Sequence, residues 1–243
     1  MTRLPLYKEV KNRIVEGLIA GEWRPGDVMP SEPRLAKHYG VGINTLRAAL
    51  SELVAANILL RRQGKGTFVS LHASAQNIYS FFNLVRADGI RELPARRMLS
   101  LRKVAADNRT ADLLQLPRTR TGSTVFRMKI QITLSGTPVA VSEIAVPTAL
   151  FPGLERRGFE DGSVSLYGLY QESYGVTIIR TRDMLGAVKA QGADAQVLAV
   201  RTGEPLLEIT RVAYTFNARP VEIRTTRAHT GNYRYLVEHG SSV

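Results

Sequence analysis

Asn44, Arg47 and Ser51 recur at intervals of three and four residues, which puts an amide, a guanidinium and a hydroxyl on one side of a helix. Such groups hydrogen-bond to base edges and phosphate oxygens. A second cluster follows in RRQGKG, where Arg61, Arg62 and Lys65 stand among Gly64 and Gly66 in a flexible turn. These cations point to a polyanion, and the charge balance agrees. The 243 residues carry 33 Lys or Arg against 21 Asp or Glu, a formal net charge of +12. Residues 1–70 hold 11 against 6 and are about twice as basic per residue as the remainder. Each phosphate neutralised by such a segment releases counterions, which favours nucleic acid as the partner.

Catalytic chemistry is hard to find. There is no cysteine, which removes disulfides, thiolate metal sites and cysteine nucleophiles. No GxSxG elbow or glycine-rich dinucleotide loop occurs, and His38, His72, His229 and His239 are scattered. An enzyme is therefore not expected, nor a metal or cofactor. No run approaches the ~18 apolar residues of a membrane span. MTRLPLYKEVK lacks the apolar core of a signal peptide, so a cytoplasmic protein is expected.

The elements that position the basic residues are legible from spacing. Leu6, Val10, Ile14, Leu18 and Ile19 repeat at helical intervals. Gly21, Pro25, Gly26 and Pro30 then break the pattern. Ser31 is a good N-cap, Pro33 suits a first turn, and Gly40 ends the second helix. A third helix follows with Leu46, Ala49, Leu50 and Leu53 as its buried stripe and Asn44, Arg47 and Ser51 outside. After Asn57, ILLRRQGKGTFVS reads as a basic hairpin. Three helices and a hairpin make a winged helix-turn-helix over residues 1–70.

At this point a family resemblance becomes specific. PLY before helix one, PGDVMPSE before helix two, GV and NTLRAAL in helix three, and RRQGKGTFV in the hairpin stand in the order found in DNA-binding domains of the GntR family. The resemblance implies that the third helix enters the major groove and the wing lies along the minor groove. It makes Arg47 the arginine of the recognition face, Thr45 a phosphate contact, and Lys65 with Gly64 and Gly66 the wing tip. Arg61 and Arg62 read either as phosphate ligands or as solvated surface arginines. Two departures stand out. Pro33 occupies the place where members often carry an arginine, with Arg34 next. Gly42-Ile43 replaces the usual Ser-Arg. Three accounts of Ile43 stay open: it packs beneath the turn, it touches a thymine methyl, or binding is weakened.

Residues 71–94 read as a linker and a first helix, and residues 95–243 as a second domain. STVFRMKIQITLSGTPVAVSEIAVP is two β runs around Ser135-Gly136-Thr137. EPLLEITRVAYTFNARPVEIRTTRAHT repeats the scheme around Asn217-Ala218-Arg219. Between them SVSLYGLYQESYG and KAQGADAQVLAV read as helices. An α+β two-domain protein is expected, its second domain built on an antiparallel sheet. SGTPVAVSEIAVP, SLYGLYQESYGV, GEPLLEITRVAYTFNARPVEI and HTGNYRY resemble the UTRA domain of the HutC branch, whose fold is like chorismate lyase.

That resemblance implies a small-molecule effector. Phosphosugar-binding members carry an Arg-x-Arg pair before the hairpin turn; Ile130 and Ile132 stand there, with Arg127 and Lys129 nearby. Alternation puts Lys129 on the face opposite Ile130, and Arg127 with it. The family's glutamate after the proline becomes Ser142. Ser165 and Tyr167 match its helix start, Glu222 its last-strand glutamate, and His229 stands near a usual tyrosine. Arg224 and Arg227 could supply replacement charge, or be surface strand arginines. The pocket residues are thus Arg127, Ser142, Ser165, Tyr167, Glu222, Arg224 and His229. The effector is expected to be a small polar or anionic metabolite, carboxylate rather than phosphosugar. The expected protein is a homodimeric regulator, most simply a repressor, on a pseudo-palindromic operator in double-stranded DNA. An architectural DNA binder without effector and a lyase-like enzyme fused to a DNA-binding domain are the rivals. If Ile43 touches DNA, Ile43→Arg selects a different preferred duplex from a randomised library; an unchanged site returns Ile43 to a packing role.

Overall fold

The computed structural model describes residues 4–56, 58–71, 82–117, 122–154 and 165–237. The expected linker helix lies largely outside the described residues, as do His72 and His239. The chain divides into two compact units, Met1–His72 and Ala73–Val243.

In the first unit, α1 (Leu6–Ile19), α2 (Glu32–Tyr39) and α3 (Ile43–Ala55) precede a hairpin of β1 (Leu59–Arg62) and β2 (Gly66–Val69). The stripe read from the sequence is the buried face of α3: Leu46, Ala49, Leu50 and Leu53 are each at most 1% exposed. They meet Val10 and Ile14 of α1 and Leu35 of α2 in the same core. Leu6 and Ile19 are exposed, so α1 buries a narrower face than its apolar spacing implied. Gly40 ends α2 with φ at 66°, a conformation costly for any residue with a Cβ. Met29 N donates to Thr67 O at 2.7 Å and Val69 N to Asp27 O at 2.9 Å, which ties the segment before α2 to the wing.

The second unit centres on one antiparallel sheet ordered β4-β5-β6-β9-β8-β7: β4 (Ala95–Ala105), β5 (Thr124–Leu134), β6 (Thr137–Pro147), β9 (Pro220–Ala228), β8 (Pro205–Tyr214) and β7 (Arg180–Lys189). A separate pair joins β3 (Leu84–Arg86) to β10 (Tyr233–Tyr235). The β5–β6 turn is Ser135-Gly136 with both φ positive, the two-residue form that matches strand twist. Asn217 and Ala218, also at positive φ, turn β8 into β9.

Among the described residues, three helices cover the sheet. α5 (Leu166–Tyr174) packs its Leu166, Tyr167 and Tyr170 with Met128, Ile130, Ile132 and Ile144 on one face. α4 (Asn108–Leu113) and α6 (Gly192–Leu198) cover the other, where Val141 meets Ala195 and Leu198, and Val125, Ala145 and Ile223 meet Leu114. A bulge lets Val139 stand unpaired between Ile132↔Ala140 and Thr133↔Pro138. Beyond it Ser142 pairs with Ile130 and Thr226, on the α5 face. Leu46→Ala should cost the first unit about 2–5 kcal/mol in denaturant unfolding. Leu60→Ala, at a side chain 42% exposed, should stay within about 0.5 kcal/mol.

Candidate functional site

The first unit gathers the basic residues on the exposed side of α3 and the wing. Asn44, Arg47 and Ser51 are exposed, Thr45 is half-buried, and Arg34 is exposed one turn into α2. Gly42 caps α3 without a side-chain hydrogen bond. Ile43 leaves 37% of its surface open, so part of its side chain is accessible on this side of α3. In the wing, Lys65 N donates to Arg62 O at 3.0 Å, and Gly64 and Gly66 adopt φ of 71° and 108°. That turn presents Lys65 to solvent. The Arg62 guanidinium lies over the Phe68 ring, 5.0 Å from its centre. His38 is exposed, its ring edge-on to Tyr39.

One acidic residue enters this surface. Arg47 Nε donates to Glu32 Oε2 at 2.6 Å, and Arg61 Nη2 donates to Glu32 Oε1 at 3.1 Å. The sequence showed Glu32 only as part of the PSE landmark and carried no hint of these partners.

In the second unit, the α5 face of the sheet holds the polar groups. Glu222, fully buried, accepts from Tyr167 Oη at 3.1 Å, Tyr170 Oη at 2.8 Å, and Arg224 Nε and Nη2 at 3.0 Å each. Burial, then the Glu222 charge, pushes both phenols upward, so they stay protonated donors. Burial alone would lower Arg224; the Glu222 carboxylate more than reverses it, and Arg224 stays charged. Its guanidinium also lies 5.2 Å from the Tyr167 ring centre.

Beside this pair is a small, narrow cleft. Ser142, Thr226, Arg211 and Arg224 give it polar walls, and Phe82, Leu84, Ile132 and Ile209 apolar ones. Ser142 and Thr226 hydroxyls lie 2.7 Å apart. Arg211 is held by both Asp183 oxygens, at 2.7 and 2.6 Å. Tyr235 Oη donates to Asp183 and accepts from Asn83 Nδ2 at 2.9 Å, which joins β10 and the segment before β3 to the sheet.

Arg96 of β4 pairs with Ile132 in register and therefore shares the cleft's face. Its guanidinium has no ion pair or hydrogen bond among the described residues. Burial, and then the Arg224 charge, lower its pKa to about 10. Arg96 and Arg211 were not singled out in the sequence. Alternation marks such arginines only once the register and the covered face are known.

The other pocket residues expected from the sequence separate. Arg127 is not in the cleft: it pairs with Ala145 on the opposite face and bonds Asp107 at 2.7 Å. Lys129 shares that face and binds Asp194 of α6 at 2.7 Å. His229 follows β9 and does not line the cleft; its Nε2 lies 3.5 Å from Glu204. Ser165 Oγ accepts from Gly168 N at 2.9 Å, so this hydroxyl caps α5.

Several known proteins share this pattern. Residues 6–69 match the bacterial regulatory proteins of the gntR family, and residues 91–234 match the UTRA domain. The chain is 28% identical to the uncharacterized HTH-type transcriptional regulator YurK of Bacillus subtilis (strain 168), over 96% of this chain and 95% of that one. It is 29% identical to the histidine utilization repressor of Pseudomonas putida, over 96% of this chain and 90% of that one. Among solved structures, the ligand-binding domain of a GntR-family transcriptional regulator from Bordetella bronchiseptica matches with a TM-score of 0.62 and 28% identity. That match covers 66% of this chain and 98% of the other.

Asp183 supplies a pH test. Burial raises its pKa, but the Arg211 N–H donors and charge outweigh that and hold it below the usual 3.8. Unfolded, the carboxyl takes its proton near 3.8. The folded carboxylate takes its proton only at lower pH. Its stabilisation is therefore complete above that value and is lost as pH falls through the folded pKa. Asp183→Asn should lower stability at neutral pH and flatten the acid limb of the profile, measured by urea unfolding across pH.

Proposed function

Because the chain belongs to the GntR family of bacterial regulatory proteins, in the HutC branch that carries a UTRA domain, we propose that a small monocarboxylate sets its affinity for operator DNA. The protein is a DNA-binding transcriptional regulator whose second domain takes the effector. The charge balance on the sheet face that carries the cleft supports the finer reading. Glu222 balances Arg224 and Asp183 balances Arg211, while the Arg96 guanidinium has no partner among the described residues. One cation uncompensated among the described residues suits one negative charge, and a phosphate dianion would leave a charge unmatched. Apolar walls at Phe82, Leu84, Ile132 and Ile209 suit the body of such an acid, and Ser142 and Thr226 its polar substituents.

On DNA, a cytoplasmic homodimer places two copies of α3 on a pseudo-palindromic site. Asn44 and Arg47 meet base edges, Ile43 an adjacent thymine methyl, and Thr45, Arg34, Arg61, Arg62 and Lys65 the phosphates. Gly66 lets the wing backbone approach closely. Effector binding shifts operator affinity by a coupling of about 1–3 kcal/mol, some 5–150-fold. A relative named as a repressor supports repression as the output.

The test is isothermal titration of the full chain with a panel of aliphatic and aromatic monocarboxylates and with inorganic phosphate. At least one carboxylate should bind, and Arg96→Gln should weaken it about ten-fold or more while effector-free DNA affinity holds. Tighter binding of phosphate, or an indifferent Arg96→Gln, would overturn the carboxylate reading.

A further inference from the structure

Glu32 is the first residue of α2, yet its carboxylate bonds two arginines of the surface that carries Asn44 and Lys65. Arg47 comes from α3 and Arg61 from β1, so one carboxylate joins the recognition helix, the preceding helix and the wing. The atoms used decide what remains. Arg47 gives its Nε–H to Glu32, and its two terminal nitrogens face no other partner among the described residues. A guanidinium offers five N–H donors in a rigid fork, and a bidentate contact to guanine needs two. The bond to Glu32 therefore leaves an end-on pair of donors and fixes the direction in which they point.

Glu32 also carries charge. Its single negative charge lies between two cations of a surface that binds a polyanion, which lowers the sequence-independent attraction to phosphate. Arg47 is the only Lys or Arg in α3, because Ile43 stands at the other helix position where a cation was expected. Cationic readout of the bases by this helix, beside the neutral Asn44 and Ile43, thus leans on the aim of one side chain.

We propose that Glu32 is a specificity-determining positioning residue: it aims the terminal edge of Arg47 at the bases and weakens binding to random sequence. The inference rests on the reading that α3 meets base edges. Helix α2 favours the role, since a carboxylate in the first turn is stabilised by the free N–H groups there. The pairs are solvent-accessible, with side-chain exposures of 55% for Arg47, 46% for Arg61 and 26% for Glu32, so DNA can reach them.

The experiment uses the full chain. Wild-type protein first selects a preferred duplex from a randomised library. Affinities for that duplex and for a scrambled one of equal length are then measured at two salt concentrations. Glu32→Ala should tighten binding to the scrambled duplex and weaken binding to the selected one. The specificity ratio should fall on the order of ten-fold, the scale of one mis-aimed bidentate contact. Glu32→Gln, nearly isosteric with the native side chain, should also tighten scrambled binding. It should keep most of the ratio, because its amide oxygen still accepts from Arg47 Nε. If both duplexes shift by one common factor in Glu32→Ala and Glu32→Gln, Glu32 is only a surface charge and the proposal fails. If the wild type enriches no duplex, the DNA reading of α3 fails first and the role of Glu32 with it.

Discussion

Glu222 is a carboxylate without access to water, and much of the effector domain is arranged to make that tolerable. A buried charge with no partner costs several kcal/mol, so its oxygens need donors from more than one element. Two phenols come from α5 and a bidentate guanidinium from two residues further along β9. Those bonds set where α5 lies on the sheet and turn Arg224 toward the cleft side of the same face. Phe151 packs against Tyr170, ring centres 4.5 Å apart, and closes the apolar side of the cage. The cleft is what remains beside it.

Carboxylate–arginine pairs recur across the chain with different burial, and burial decides what each can do. Glu222–Arg224 and Asp183–Arg211 are shielded, geometrically fixed and costly to break. Lys129, Arg227 and Asp194 form a half-buried network that fastens α6 to the opposite face. Glu32 with Arg47 and Arg61 is wetter, and exposed pairs contribute about 0–1 kcal/mol. A weak pair of that kind can orient a side chain while its remaining donors stay available to a partner. Strong pairs build the second domain; weak pairs leave the exposed side of α3 accessible.

Sheet geometry sorts the second domain's cations into two groups with different fates. Residues that alternate along β5 and β9 point to opposite faces. Arg127, Lys129 and Arg227 fall on the face covered by α4 and α6, where Asp107, Asp194 and Glu208 neutralise them. Arg96, Arg211 and Arg224 fall on the face of α5 and the cleft. The bulge at Val139 fits this division, since Ser142 faces Thr226 rather than the Lys129 side.

Local patterning was enough to determine the winged helix-turn-helix, down to the four buried positions of α3 and the glycine that ends α2. Those features depend on residues within a turn or two of one another, and apolar spacing and capping chemistry report them directly. The two β turns of the second domain were legible for the same reason. Ser165 and Arg127 show where that reading ends. A serine at a helix start and an arginine beside a hairpin are suited to a ligand, yet one caps its own helix and the other sits on the wrong face. Arg96 was not singled out for the converse reason, because its lack of a charge partner among the described residues follows from strand register and from where the acids fall. Residue type and spacing determined which groups the chain carries. Only tertiary structure decided which charges meet a partner, because partners such as Glu222 with Tyr170, or Glu32 with Arg61, are brought together by strand register and helix packing across long stretches of chain.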